Sequence, residues 1–203
     1  MQAKIRGINS NTGDEVDVKV TPYGQVLTLP PQIIWTAKGY GFQAMATSAV
    51  AALVVRPTTT AMVTLYNNST DKNLVIERAF GHNLVAAAQS DYGLYLCSHP
   101  AGMTAPTNDI TIRNSTNGVA TSTAGIMDVG ATVVDNGWFP WGSSYTTVTV
   151  TTPGGLLEAV VGGRIIVPPT GGISLQVVAS VTGATFTCGF HWFAVPTTEL
   201  PVG

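Results

Sequence analysis

The chain has 203 residues, of which 45% are hydrophobic and only 10% charged, with a net charge of −2. An ordinary soluble domain carries about 25% charged residues, so Thr, Ser, Asn, Gln and Gly must cover much of this surface. The balance excludes charge-driven disorder, which needs low hydrophobicity and high net charge, a coiled coil, and nucleic-acid binding through a basic stripe, for which no cationic excess exists.

The first residues, MQAKIR, do not lead a basic stretch into an apolar segment, so no signal peptide is expected. Residues 1–44 read as an extended N-terminal arm. They hold four of the nine basic residues, Lys4, Arg6, Lys19 and Lys38. The run NSNTG at 9–13 is a turn signal, and Val16, Val18 and Val20 alternate with Asp17 and Lys19 as a short strand. Pro22, Gly24, Pro30 and Pro31 then break the chain. The arm's modest apolar content predicts that it is ordered against something else, which makes Val16, Val18 and Val20 candidate interface residues. Helical periodicity is absent except for a weak pattern at 44–52. The weakly polar run 44–55 is too short for a bilayer, which takes about 20 residues, so no membrane partner is expected.

From residue 45 to 203 the pattern is all-β, with a short Pro-containing tail. Strands are predicted at 60–66, 74–80, 92–97, 109–113 and 145–152, the last having the strongest β propensity. Two more follow at 156–161 and 164–167, split by Gly162-Gly163. In 172–181 Ile173, Leu175, Val177, Ala179 and Val181 share one face, and Ser174, Gln176 and Ser180 the other, with Val178. In the final strand Phe186, Cys188, Phe190 and Trp192 oppose Thr187, Gly189 and His191. Period two over this length predicts one buried and one polar face. About eight strands, with long loops near 98–108 and 114–144, predict a single β-sandwich or jelly roll. Pro168-Pro169 ends a strand and discourages edge pairing. Asn67, Asn68 and Asn114 open sequons and read as turn residues.

No catalytic constellation emerges. His82, His99 and His191 have no second His or Cys at ligand spacing, so no metal is expected, and no cofactor motif is present. Cys97 and Cys188 lie in alternating apolar segments; buried thiols and a disulfide between neighbouring strands both fit. Asp128, Asp135 and Glu158 are the carboxylates that a glycosidase reading would use. Asp128 and Asp135 fall in the loop that also holds the run DNGWFPWG at 135–142. Trp138, Phe139 and Trp141 there make a rigid apolar knob, since Trp and Phe each bury roughly 150–250 Å². The knob either packs on its own domain, meets another subunit as a hot spot, or stacks a sugar.

Several longer runs carry a resemblance. GGRIIVPPTGGISLQVVAS followed by TFTCGFHWFAV, the paired-strand run TAMVTLYNNSTDKNLVIERAF, and the arm NSNTGDEVDVKVTPYGQVLTLPP resemble jelly-roll virion proteins of tailed bacteriophages. The resemblance implies a jelly-roll domain behind an arm, and a capsid decoration (cement) protein as the function. It further implies a homotrimer, the major capsid protein as partner, synthesis in the host cytoplasm and a final place on the capsid surface. A receptor- or glycan-binding virion module and a tail or neck adaptor are the alternatives.

Overall fold

A computed structural model of the chain describes residues 6–8, 15–17, 30–85, 90–146 and 155–200. Two short strands, β1 (Arg6–Ile8) and β2 (Glu15–Asp17), pair antiparallel with each other. Val16 stands opposite Gly7 in that pair; Val18 and Val20 lie outside the described residues. The remaining elements are α1 (Pro31–Ala37), β3 (Gly41–Met45), β4 (Val50–Ala51), β5 (Val63–Tyr66), β6 (Lys72–Val85), β7 (Ser90–His99), β8 (Ile112–Asn114), β9 (Ala120–Thr121), β10 (Ile126–Val129), β11 (Phe139–Thr146), β12 (Leu156–Val167), β13 (Gly172–Ala179) and β14 (Thr185–Pro196).

The fold is an all-β sandwich. One sheet has five strands in the order β10-β5-β13-β7-β11. The other has seven, in the order β12-β6-β14-β3-β8-β9 with β4 also on β14. From β5 onward the chain passes from one sheet to the other at most of its connections. The inner faces form one buried cluster, to which β13 gives Ile173, Leu175, Val177 and Ala179 and β14 gives Phe186, Cys188, Phe190 and Trp192. These are the residues that the alternation placed together, except Val181, which lies past the end of β13 and is exposed. Each large apolar side chain taken out of water there contributes about 1.5–3 kcal/mol. The Trp192 indole N–H is satisfied inside the core by the carbonyl of Ala124, at 2.9 Å.

Several expectations need correction. The sheets hold more strands than eight, because the short strands β3, β4, β9 and β10 carry too few residues to show a period. Residues 44–52 are not helical; β3 and β4 occupy most of them, and β3 reaches across the boundary at residue 45. The helix is α1, in the stretch that its prolines marked as broken. Pro31 is its first residue, where a missing N–H costs nothing. Its end is a Schellman motif, with the Gly39 N–H on Thr36 and the Tyr40 N–H on Trp35, both at 2.9 Å. Gly39, at φ 78°, supplies the left-handed residue that this motif needs.

The segments expected at 156–161 and 164–167 are one strand, β12, bulged in the middle. Residues 161–164 stand opposite Glu77 alone, so the register along β6 resumes beyond them. Gly162 and Gly163 make the bulge with φ of 58° and 75°. The polar face of β13 is also not solvated. Ser174 and Gln176 are buried, under a second apolar cluster of Ala61, Cys97, Ala131, Val133 and Trp138 with Met103 and Tyr95 against it.

Candidate functional site

The knob residues part company in the structure. Trp138 is 4% exposed, packs in that second cluster and donates its indole N–H to the carbonyl of Thr58 at 2.7 Å. It is a cover for its own sheet. Phe139 and Trp141 begin β11, the outer strand of the five-stranded sheet, and their rings lie 5.4 Å apart. The Trp141 indole reaches β12, the outer strand of the other sheet, and donates to the carbonyl of Val160 at 3.2 Å. Arg164 lies over the Trp141 ring at 5.4 Å and donates to the same carbonyl at 3.0 Å. Trp141 therefore seals the seam where the two sheets' outer strands meet, and the bonds to Val160 occupy a carbonyl on β12.

Outside this seam the apolar surface continues. Phe139 is 37% exposed, Leu156 50% and Val160 59%. Glu158 lies between the last two and is paired with Arg78 at 3.1 Å. The other ion pairs among the described residues are Lys38–Glu199 at 2.7 Å and Arg56–Asp135 at 2.9 Å. Asp135 is thereby held down to about 2, first by the hydrogen bond from Arg56 and then by the Gly137 backbone N–H. It is a loop anchor, tied to the strand-free segment before β5.

The other carboxylates do not converge either. Asp128 is buried on β10, and its carboxyl is held above the ordinary range by burial and then by the hydrogen bond and charge of Asp109. The carboxyl pair is thus Asp109–Asp128, which no spacing in the sequence announced. Among the described residues no three His, Cys, Asp or Glu side chains gather as a metal site, and no helix is long and apolar enough to cross a membrane. Cys97 and Cys188 are both free and buried. They belong to different sheets and different clusters, so the disulfide alternative is not realised.

One polar network has the look of a catalytic relay. Asn136 Nδ2 is 3.1 Å from His99 Nδ1, His99 Nε2 is 2.8 Å from Ser174 Oγ, and Ser174 Oγ is 2.9 Å from Thr64 Oγ1. Directionality decides its role. An amide nitrogen only donates, so Nδ1 accepts and the proton sits on Nε2. His99 then donates to Ser174 Oγ, and Ser174 and Thr64 share a hydroxyl–hydroxyl bond in which either can donate. The ring's lone pair then faces Asn136, and the nitrogen facing the hydroxyl carries a proton, so in this tautomer it does not act as a base toward Ser174. Burial lowers the His99 pKa, which keeps the ring neutral. A cavity of about 430 Å³ opens beside His99 and Asn136, but Ser174 is not in its lining. The chain of bonds satisfies polar groups inside a covered sheet.

Compared with known proteins, the chain matches no family model and no curated sequence.

Proposed function

We propose that this protein is a structural component of a virus particle, a capsid decoration or cement protein of the tailed-phage kind, acting as a homotrimer on the assembled shell of the major capsid protein. The observation that carries the proposal is the pairing of two surface properties. Among the described residues thirteen large hydrophobic side chains are exposed, Phe139, Leu156 and Val160 of them along the β11–β12 seam, while the acid between the last two, Glu158, is already paired with Arg78. A surface of that kind meets another protein without stripping water from lone ions, a penalty of several kcal/mol for each ion. The alternation of the chain between two antiparallel sheets supports the jelly-roll reading, and the sequence resemblance supplies the phage context.

The mechanism is association by area. Phe139, Trp141, Leu156 and Val160 present aromatic and aliphatic surface along the β11–β12 seam, the composition that anchors subunit contacts. A threefold ring closes when such a patch meets a different, complementary surface of the next copy. Several copies then act on the shell together through effective concentration, and binding only the assembled shell stabilises it by mass action. The role needs no cofactor and no catalysis. Immunogold labelling of virions with an antibody to this chain tests the placement. Label over the head surface is expected; label confined to the tail or neck would replace the reading with an adaptor role.

A further inference from the structure

The outer face of the seven-stranded sheet has two halves. On one, α1 lies down with Trp35 5.5 Å from Phe193, over Val75, Val195 and Leu200. The other half is open and holds a groove of about 580 Å³, within the roughly 300–1,000 Å³ typical of small-ligand sites.

The strand register builds this groove. Arg113 on β8 stands beside Gln43 on β3, Gln43 beside His191 on β14, and His191 beside Arg78 on β6. The four side chains form one row across four strands. Three strand spacings separate its ends, roughly 14 Å. In the next row of the same face Met45, Gly189 and Phe80 stand side by side. Gly189 has a specific use here. A Cβ on it would meet the carbonyl of Ala44 and would come within 2.7 Å of Phe80 Cζ. The missing side chain lets the Phe80 ring reach over β14 and form an apolar floor. The Arg78 guanidinium lies 5.5 Å from that ring, and His191 Nε2 lies 2.8 Å from Gln43 Oε1. Asp109 and Thr111 line the groove as well.

We infer that this groove binds a short acidic saccharide. The site presents two guanidinium groups, one carboxylate, an amide, two hydroxyls and an imidazole around a phenyl floor. Guanidinium groups match a ligand carboxylate through paired, charge-assisted bonds. Arg113 spends only one donor, on the carbonyl of Gly118 at 3.0 Å, and a guanidinium has five. A plain anion would face the repulsion of Asp109, and a wholly apolar ligand would bury these polar groups unpaired. A sugar acid answers both, because its hydroxyls donate to Asp109 and Gln43 while its carboxylate takes an arginine and its C–H face covers Phe80. The length of the row calls for more than one sugar ring. This groove lies on the sheet opposite the one that Trp138 covers and borders the β11–β12 seam at Arg78, which stands beside Val160; the inference does not rest on the assembly role.

The test is an array carrying uronic- and sialic-acid saccharides beside their neutral counterparts, probed with the full chain and with Arg113→Gln and Arg78→Gln. Retention on acidic members and not on their neutral counterparts is expected. Each variant should weaken it roughly tenfold or more, with urea midpoints showing that both remain folded. Arg113 is exposed, so its variant keeps the test valid even where loss of the Arg78–Glu158 pair perturbs folding. No retention on any acidic member, equal retention on neutral ones, or unchanged retention in Arg113→Gln overturns the inference.

Discussion

The indole of Trp138 hydrogen-bonds the carbonyl of Thr58 across 80 positions of chain, which pins the aromatic loop to the outside of the five-stranded sheet. The loop's three aromatic residues therefore have different duties. Trp138→Ala removes a buried ring and leaves the Thr58 carbonyl without its donor. A loss of about 3–5 kcal/mol in unfolding free energy is expected, read from urea denaturation. Phe139→Ala, at a more exposed ring, should change stability much less and instead weaken self-association by sedimentation. Equal stability losses in the two variants would contradict this division.

Gly189 makes a second, independent prediction. Its φ is not the issue; the space is, since a methyl there meets the Ala44 carbonyl and the Phe80 ring. Gly189→Ala should cost about 1–3 kcal/mol, the usual range for overpacking. Adding Phe80→Ala should recover part of that cost but not all, because the clash with backbone remains. Full additivity of the two substitutions would show that the ring does not occupy the glycine's vacant side.

Acid should destabilise the fold through histidine. The pKa of His99 is lowered by burial, and that of His191 by burial and then by the charge of Arg78. As pH falls through the ordinary histidine value near 6.5, the unfolded chain takes up protons that the folded chain refuses. The stability these neutral rings allow is fully present above about 6.5 and is lost below it, down to their folded values. Asp128 acts with the opposite sign, since its folded pKa is raised above 3.8: its penalty, present at neutral pH, is relieved as pH falls through the folded value. Urea midpoints should therefore drop between about pH 7.5 and 5.5, with a flatter slope in His99→Gln and His191→Gln. An unchanged midpoint across this range would refute the assignment.

The cysteines offer a chemical check on the sandwich. Burial pushes both thiols up, Cys188 most strongly, and neither is accessible. A thiol-specific chromogenic reagent should find no reactive cysteine in the native protein and two after denaturation without reductant. Reaction of one thiol in the native state would mean that its cover opens readily, and none after denaturation would mean a disulfide.

How far the sequence disclosed all this depends on the residue. The period-two pattern of β14 separated Phe186, Cys188, Phe190 and Trp192 from Thr187, Gly189 and His191, and the core follows that division. The same pattern misled for β13, because alternation does not distinguish a solvated Ser174 from one bonded to His99 and Thr64 under a covering layer. Pro30 and Pro31 look like breakers in sequence, yet Pro31 at a first helical position and Gly39 just past the end are the signals that bracket a short helix. Trp138 and Trp141 look alike in sequence, and only the packing of β11 against β7 and β12 tells them apart. The groove was not legible at all. Its row runs through residues 43, 78, 113 and 191, which register joins and sequence distance conceals.

Light scattering on the purified full chain, coupled to size exclusion, bears most directly on the assembly role. The account predicts a single species with three times the 21.1 kDa chain mass. A monodisperse species of one chain mass at high concentration would contradict it.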